Sequence, residues 1–360
     1  MANAALIIPI YATDENKRLD LSKYTLRSAI WQKDTDIIVV DDGSTVDVEG
    51  LLKKYNNSLI IYIRRERSPT DLKTASNALN LGIDYCLEET YSAKKWRAVG
   101  FLHSDDLATE ESVQMRIKGL EGPNDGCVQT DLGLINGKGK IIGMRQGKKL
   151  DEIDLSRDNL YSFNHHTIMW QYGFLRYLKH FVAEKYGQPG VFDPLLSHGE
   201  DRDMSLSCYE AAIEGGYTLS RTLNNPLKIT IYYLRIVETE NQNNSKNGVI
   251  QSPLSYVPRI SVFYRQHQES ITGDPVESDY LKSQRARIHQ KHFKEQKMSN
   301  LEILARLQAD PPWSWFTFFP SDIKRVLRPV KDRIKGLAFE LRHPHIAKDL
   351  EKLLMYSGGL

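Results

Sequence analysis

Residues 99–112 read VGFLHSDDLATEES. An apolar run, Val99–Leu102, has the character of a strand buried on both faces. Two adjacent carboxylates, Asp105 and Asp106, stand at its tip. Like charges at contact distance raise each other's pKa, so a positive group belongs beside them. A helix start follows at once: Thr109 is a plausible N-cap, and Glu110 and Glu111 suit the positive end of a helix dipole. Val113, Ile117 and Leu120 then recur at helical spacing. Strand, acidic turn and helix form one unit, and the fold depends on whether that unit repeats.

It does so upstream. ALIIPIY (residues 5–11) reads as a buried strand, and Leu26, Ala29 and Ile30 follow at helical spacing. DIIVVDD (36–42) is a second strand, closed by the turn residues Gly43 and Ser44. LIIYIRR (59–65) is a third. Ala75, Ala78, Leu79, Gly82, Ile83 and Cys86 then share one helix face. Strands alternating with helices predict an α/β fold with a largely parallel sheet covered on both faces.

Downstream the pattern changes. Asn136-Gly137 between two apolar runs predicts a hairpin. FNHHTIMW (163–170) reads as a short strand. If it is one, His165 and His166 point to opposite faces, and at most one meets a site. GEDRDMSLSCYEAAIEGGY (199–217) reads as a helix with Met204, Cys208, Ala211 and Ala212 on one side. LKITIYYLRIV (227–237) and RISVFYRQH (259–267) read as two strands around a polar loop. Beyond Thr272 the chain becomes helical and basic.

The chain has 360 residues, 41% of them hydrophobic, and a formal net charge of +2. That balance excludes a whole-chain nucleic-acid binder. The three cysteines, Cys86, Cys127 and Cys208, show neither metal spacing nor a disulfide framework, which suits a reducing, cytoplasmic compartment. No leader and no stretch of ~20 apolar residues is expected to cross a bilayer.

In a doubly wound sheet, ligands bind outside the carboxyl ends of the strands. Asp41–Asp42 and Asp105–Asp106 fall at such ends, and Glu200, Asp201 and Asp203 open the later helix. Hard divalent cations such as Mg²⁺ and Mn²⁺ bind through one or two carboxylates plus phosphate oxygens. A cation carrying a diphosphate over Asp105 and Asp106 is therefore the first expectation.

Six segments in order resemble family-2 glycosyltransferases with the GT-A fold. They are IIPIYATDENKRLDLSKYTLRSAIWQ with DIIVVDDGST, then KTASNALNLGI, FLHSDD, NHHTIMW, FDPLLSHGEDRDMSL and FYRQHQESIT, spanning about Ala4 to Thr272. The resemblance implies a nucleotide-sugar-binding half over 1–125, an acceptor-binding half over 126–272 and a helical basic and aromatic extension over 273–360. It implies that Asp42 contacts the nucleotide base, with Pro9 and Tyr11 lining the same pocket largely through backbone. Asp105 and Asp106 match metal- and ribose-binding acids, and His267 a histidine that helps hold the metal or the diphosphate. Arg265 would meet phosphate. Asp201 matches the general base, with Glu200 beside it. The cofactor implied is Mn²⁺ or Mg²⁺, and the reaction an inverting transfer from a nucleoside diphosphate sugar, UDP-linked by first choice, to a carbohydrate or lipid-linked acceptor. One position departs from the pattern: His103 stands where the first Asp of the DXD motif is expected.

Structural rivals exist for each role. Asp42 could close a turn, Glu200 and Asp201 could cap a helix, Arg265 could form a surface ion pair, and His267 could be an ordinary strand residue. A nucleotidyltransferase would need a Gly-rich phosphate loop after the first strand, and PIYATDENK has no glycine there. A receiver domain would need its acidic pair after the first strand and a far shorter chain. A catalytically inactive nucleotide-sugar-binding scaffold is the remaining alternative, supported by His103. The tail joins PPWSWFTFFP to a basic helix bearing Ile323, Val326, Leu327, Val330, Ile334 and Leu337. That composition suits peripheral membrane contact, although Pro329 interrupts it. Packing on the catalytic region or on a second copy of the chain is the alternative.

Overall fold

The computed structural model describes residues 3–15, 18, 21–55, 57, 59–68, 74–88, 96–120, 125–136, 141–145, 165–196, 199–215, 254–266 and 279–292. The expected strand at 227–237, His267 and the aromatic-basic tail lie outside the described residues.

Nine strands form one sheet in the order β3-β2-β1-β4-β8-β6-β9-β5, with β7 paired to β6. The first four are β1 (Ala4–Ile10), β2 (Thr35–Asp41), β3 (Ile60–Arg64) and β4 (Ala98–Phe101), all mutually parallel. β5 is the short Leu107–Ala108 pair, β6 is Cys127–Asn136, β7 is Ile141–Arg145, β8 is Met169–Gln171 and β9 is Leu254–Gln266. β8 runs antiparallel between β4 and β6, and β9 runs parallel to β6. Six of the nine strands therefore share one direction, as the βα alternation demands.

Period-2 alternation divides β1 between two cores. Ala5 and Ile7 pack with Ala78, Leu79 and Ile83 of α3 (Ser76–Leu87). Leu6, Ile8 and Ile10 pack on the other face with Ala29 of α1 (Arg27–Ile30) and with Val48, Leu51 and Leu52 of α2 (Val48–Tyr55). Each leucine, isoleucine or valine among them, fully buried, contributes roughly 1.5–3 kcal/mol. At Gly82 a Cβ would lie 2.6 Å from Ile7 Cγ2, so only glycine lets α3 approach β1 this closely.

Two prolines sit where strands tolerate them. Ile7 turns its carbonyl toward β4, accepting from Leu102 N at 3.0 Å. Pro9, two residues on, shares that side beyond the end of β4, so the ladder loses no donor there. In β9, Thr130 pairs with Val257 and Asp131 with Ile260, leaving Pro258 and Arg259 in a register shift. A residue without an N–H belongs at such a bulge.

The remaining helices are α4 (Ser112–Lys118), α5 (Tyr172–Tyr186), α6 (Glu200–Glu214) and α7 (Asp279–His292). α5 and α6 complete the core over α3 through Phe174, Leu178, Met204, Cys208 and Ala211. α7 docks on α6 through Ile288 against Leu206, and through charge. Lys291 Nζ lies 2.7 Å from Asp203 Oδ2, and His292 lies 2.9 Å from both Asp203 Oδ1 and Glu210 Oε1.

One expectation is corrected. His165–Thr167 form a 3₁₀ turn, and the strand begins only at Met169. Asn164, His165 and His166 carry no strand preference and separate Phe163 from the strand-favouring residues that follow.

Candidate active site

The carboxyl ends of β1, β2, β3 and β4 open on one edge of the sheet, and the carboxylates of the sequence gather there. The turn after β4 is fixed first by the backbone, Asp106 N donating to His103 O at 3.1 Å. Side chains from residues 25–32 then hold it from behind. A π-turn, Leu21–Leu26, leads into α1 and carries Thr25, whose hydroxyl donates to Asp106 O at 2.9 Å. Ser28 Oγ accepts from Ala108 N at 3.0 Å. Gln32 donates to Thr109 O at 2.8 Å and accepts from Val113 N at 3.0 Å. Each bond contributes on the order of 1 kcal/mol, and together they set the angle of the acidic turn.

The two aspartates differ in setting. Asp106 is fully buried and Asp105 is half-buried. His166 Nδ1 lies 2.7 Å from Asp106 Oδ2. Burial works to lower the His166 pKa, but Asp106, Asp105 and Asp201 outweigh it and hold the imidazole above its ordinary value. The rings of His103, His165 and His166 form a triangular cluster with centroids 4.2–4.6 Å apart, His165 stacked on His166 and His103 tilted against both. The 3₁₀ turn is what allows both His165 and His166 to face His103. Burial pushes His103 down to about 3 and His165 well below the ordinary range, so both are neutral at pH 7.

A buried guanidinium holds the histidine turn in place. Arg116 of α4 is fully buried, and it donates to Ile168 O at 3.2 Å and to Ser112 Oγ at 3.0 Å. Burial alone brings its pKa down to about 9.

α6 presents its N-terminus to the same cleft. Its N-cap, Gly199, adopts φ +78°, a left-handed conformation that favours glycine. Glu200 and Asp201 follow, both half-buried. Burial, and then the Asp201 charge, push Glu200 up to about 7, while His166 pulls the other way.

At the β2 end, Asp41 is a structural residue: it accepts from Ser44 N at 2.8 Å and from the Tyr62 hydroxyl at 2.7 Å. Asp42 is buried and ion-paired to Arg65 at 2.9 Å and to Arg67 at 3.6 Å. Arg67 Cζ lies 4.3 Å above the Tyr11 ring. Tyr11 and Asp42 thus belong to one cluster, joined by an arginine that sequence reasoning missed. The only signal for it was the run of basic residues after β3. Pro9 is buried within β1, one residue from its end. The backbone of β9 passes beside the acidic turn, Phe263 pairing with Leu107. Extending that antiparallel register brings Arg265 level with Asp105.

The model of the family described as Glycosyl transferase family 2 matches residues 6–185, half of the chain. The chain belongs to glycosyl transferase family 2. In this family 2 chain the matched span carries Tyr11, Asp42, the acidic turn and the histidine turn, while Glu200, Asp201, Arg265 and His267 lie beyond it. The chain is 28% identical over 142 residues to an uncharacterized glycosyltransferase of Rickettsia conorii, a stretch that is 38% of this chain and 20% of the relative. An uncharacterized glycosyltransferase of Rickettsia felis gives the same identity and coverage. The chain thus spans about a fifth of the length of the curated relatives it matches. Among solved structures, S. aureus TarS 1-349 in complex with UDP-GlcNAc is 14% identical, with a TM-score of 0.49 over 100% of this chain and 92% of that one. The mannosyltransferase PcManGT from Pyrobaculum calidifontis, in complex with GDP-Man and Mn²⁺, is 12% identical, with a TM-score of 0.45 over 99% of this chain and 86% of that one. Family membership and the mostly parallel, helix-flanked sheet together give the GT-A fold that the sequence implies. Among the described residues, no helix is long and apolar enough to cross a membrane.

Proposed function

We propose that this chain transfers a sugar from a nucleoside diphosphate sugar, UDP-linked by first choice, to an acceptor hydroxyl with inversion, in bacterial-type polysaccharide or glycoconjugate synthesis. One observation carries the reading: His166, 2.7 Å through Nδ1 from the buried Asp106 of the acidic turn, also has its pKa raised by Asp201 at the start of α6, so the two acidic segments meet at one ring. A cleft with metal-type carboxylates on one wall and a basic carboxylate on the other suits displacement of a diphosphate.

The donor set supports a divalent cation. Carboxylate oxygens at the turn suit Mn²⁺ or Mg²⁺, and the adjoining imidazoles favour Mn²⁺ of the two. Asp105, Asp106 and His267 would hold it, and when bound it neutralises charge on the leaving diphosphate. Arg265 and the Arg67–Tyr11 pair bind the donor, the ring and guanidinium offering a stacking surface beside the base and Asp42 a hydrogen-bond acceptor for it. Asp201 takes the proton of the acceptor hydroxyl as it attacks, a step worth roughly a hundred- to ten-thousandfold in rate. Glu200 stands beside it and keeps the local field negative once ionised. The acceptor is a carbohydrate or a lipid-linked glycan. Peripheral membrane contact through the basic tail, or pairing with a second copy, would bring the lipid-linked kind within reach.

The test is a panel of nucleotide sugars, read by thermal shift and by release of nucleoside diphosphate with and without Mn²⁺. A binder raises the melting temperature by mass action. Stabilisation accompanied by Mn²⁺-dependent release supports the transferase. Stabilisation with no release under any condition supports an inactive scaffold, the reading that His103 favours. Absence of stabilisation by every donor overturns both.

A further inference from the structure

We infer that His103, His165 and His166 form a nitrogen-rich site for a borderline divalent cation of the Zn²⁺ class. None of the three belongs to the carboxylate set proposed for Mn²⁺ or Mg²⁺, and the inference does not depend on the transfer reaction.

One ring nitrogen from each of the three lies within 4.8 Å of the others. His103 Nε2 and His165 Nε2 are hydrogen-bonded at 2.5 Å. A tetrahedral ion with metal–nitrogen bonds of about 2.0–2.1 Å sets its ligand nitrogens about 3.3 Å apart. That spacing lies between the 2.5 Å of this pair and the 4.8 Å that bounds the set, so an ion replacing the shared proton needs only a small opening of the pair. His166 Nδ1 lies 2.7 Å from Asp106 Oδ2, so Nε2 is the ligand atom assigned to this ring. A ligating histidine usually gives its other nitrogen to a carboxylate in this way, which fixes both tautomer and ring orientation. Asp106, fully buried, is therefore the outer partner of the site through Oδ2, and its other oxygen, Oδ1, stays with the carboxylate set proposed for Mn²⁺ or Mg²⁺.

His165 is 6% exposed, which holds the ligand set largely out of water. Imidazole nitrogen suits Zn²⁺, Ni²⁺ and Co²⁺ better than it suits Mg²⁺. The rings come from two segments, the β4 tip and the turn before β8. Bound metal would tie those segments together.

The test uses the full chain without a histidine tag. Elemental analysis after purification is expected to find about one Zn²⁺-class ion per chain. After chelation, Co²⁺ titration should produce visible d–d bands of a nitrogen-rich, low-coordinate site, and excess Mg²⁺ should not remove them. His165→Gln and His103→Gln should each abolish the bands, whereas Asp105→Asn should leave them. Wild-type protein without stoichiometric metal and without d–d bands overturns the inference whether or not the variants fold. So does displacement of Co²⁺ by Mg²⁺, or loss of the bands in Asp105→Asn with retention in the histidine variants. None of these readouts measures sugar transfer, so failure of this site and failure of the transferase reading are separate results.

Discussion

His166 Nδ1 and Asp106 Oδ2 lie 2.7 Å apart, joining the turn after β4 to the turn before β8 across 60 residues of chain. The carboxylate is fully buried, so the bond must be kept once the chain folds. Asp106→Ala should therefore destabilise the protein by roughly 3–5 kcal/mol, the usual cost of stranding half of a buried ion pair. Urea denaturation of the variant and of His166→Gln measures this. The paired substitution should cost less than the sum of the two single ones.

Asp201→Asn should lower transfer at least about a hundredfold while leaving the donor-induced melting shift intact, because the base acts only as the acceptor attacks. Parallel thermal-shift and turnover measurements separate the two effects. Near-normal turnover would remove Asp201 from the mechanism.

Glu200 titrates near 7 in the folded chain against an ordinary 4.5. Between those values the folded state binds the extra proton, so stability contributed by the neutral carboxyl is lost as pH rises from the unfolded pKa toward 7. Glu200→Gln keeps the neutral shape at every pH. The variant should gain on the wild type by a few kcal/mol between pH 4.5 and 8, and chemical denaturation at both pH values checks this. Turnover of the wild type should also show an ionisation near pH 7 that the variant lacks.

His292 shows the opposite sign. Burial works against its proton, but Asp203 and Glu210 raise its pKa above the ordinary 6.5. Burial likewise works against the Asp203 charge, yet His292 and Lys291 hold its carboxyl below the usual range. The stabilisation from His292 is complete below pH 6.5 and fades as pH rises through the elevated folded value. His292→Gln should cost most stability below pH 6.5 and progressively less as pH rises above it. Thermal melts across that rise decide.

Gly82→Val places a branched side chain where even a Cβ meets Ile7 at 2.6 Å. Overpacking of this kind costs about 1–3 kcal/mol. A drop in urea midpoint with little change in slope is expected.

Much of this molecule is written in local sequence, and the rest is not, for identifiable reasons. β1, β2 and β4 are continuous apolar runs because parallel strands are covered on both faces, and runs of that kind can be read directly. The acidic turn and the start of α6 are equally visible, since carboxylates and capping residues cluster where strands stop and helices begin. FNHHTIMW misleads because strand and 3₁₀ turn are equally open to Asn and His, and the choice is made by Arg116, a buried side chain 52 residues upstream of the carbonyl it holds. Arg67 reads as one of several solvated bases after β3. Only the fold brings it over Tyr11. The π-turn at Leu21–Leu26 has no sequence marker, yet Thr25 within it sets the acidic turn.

The contacts of α7 bear on where the chain can be cut. Composition shifts near Thr272, and an expression boundary drawn there would look natural. Such a cut removes Lys291 and His292, the two cations that face Asp203, and leaves Glu210 with Lys185 at 3.6 Å, on the helix that bears Asp201. Any shortened version meant to keep the cleft intact must therefore run past residue 292.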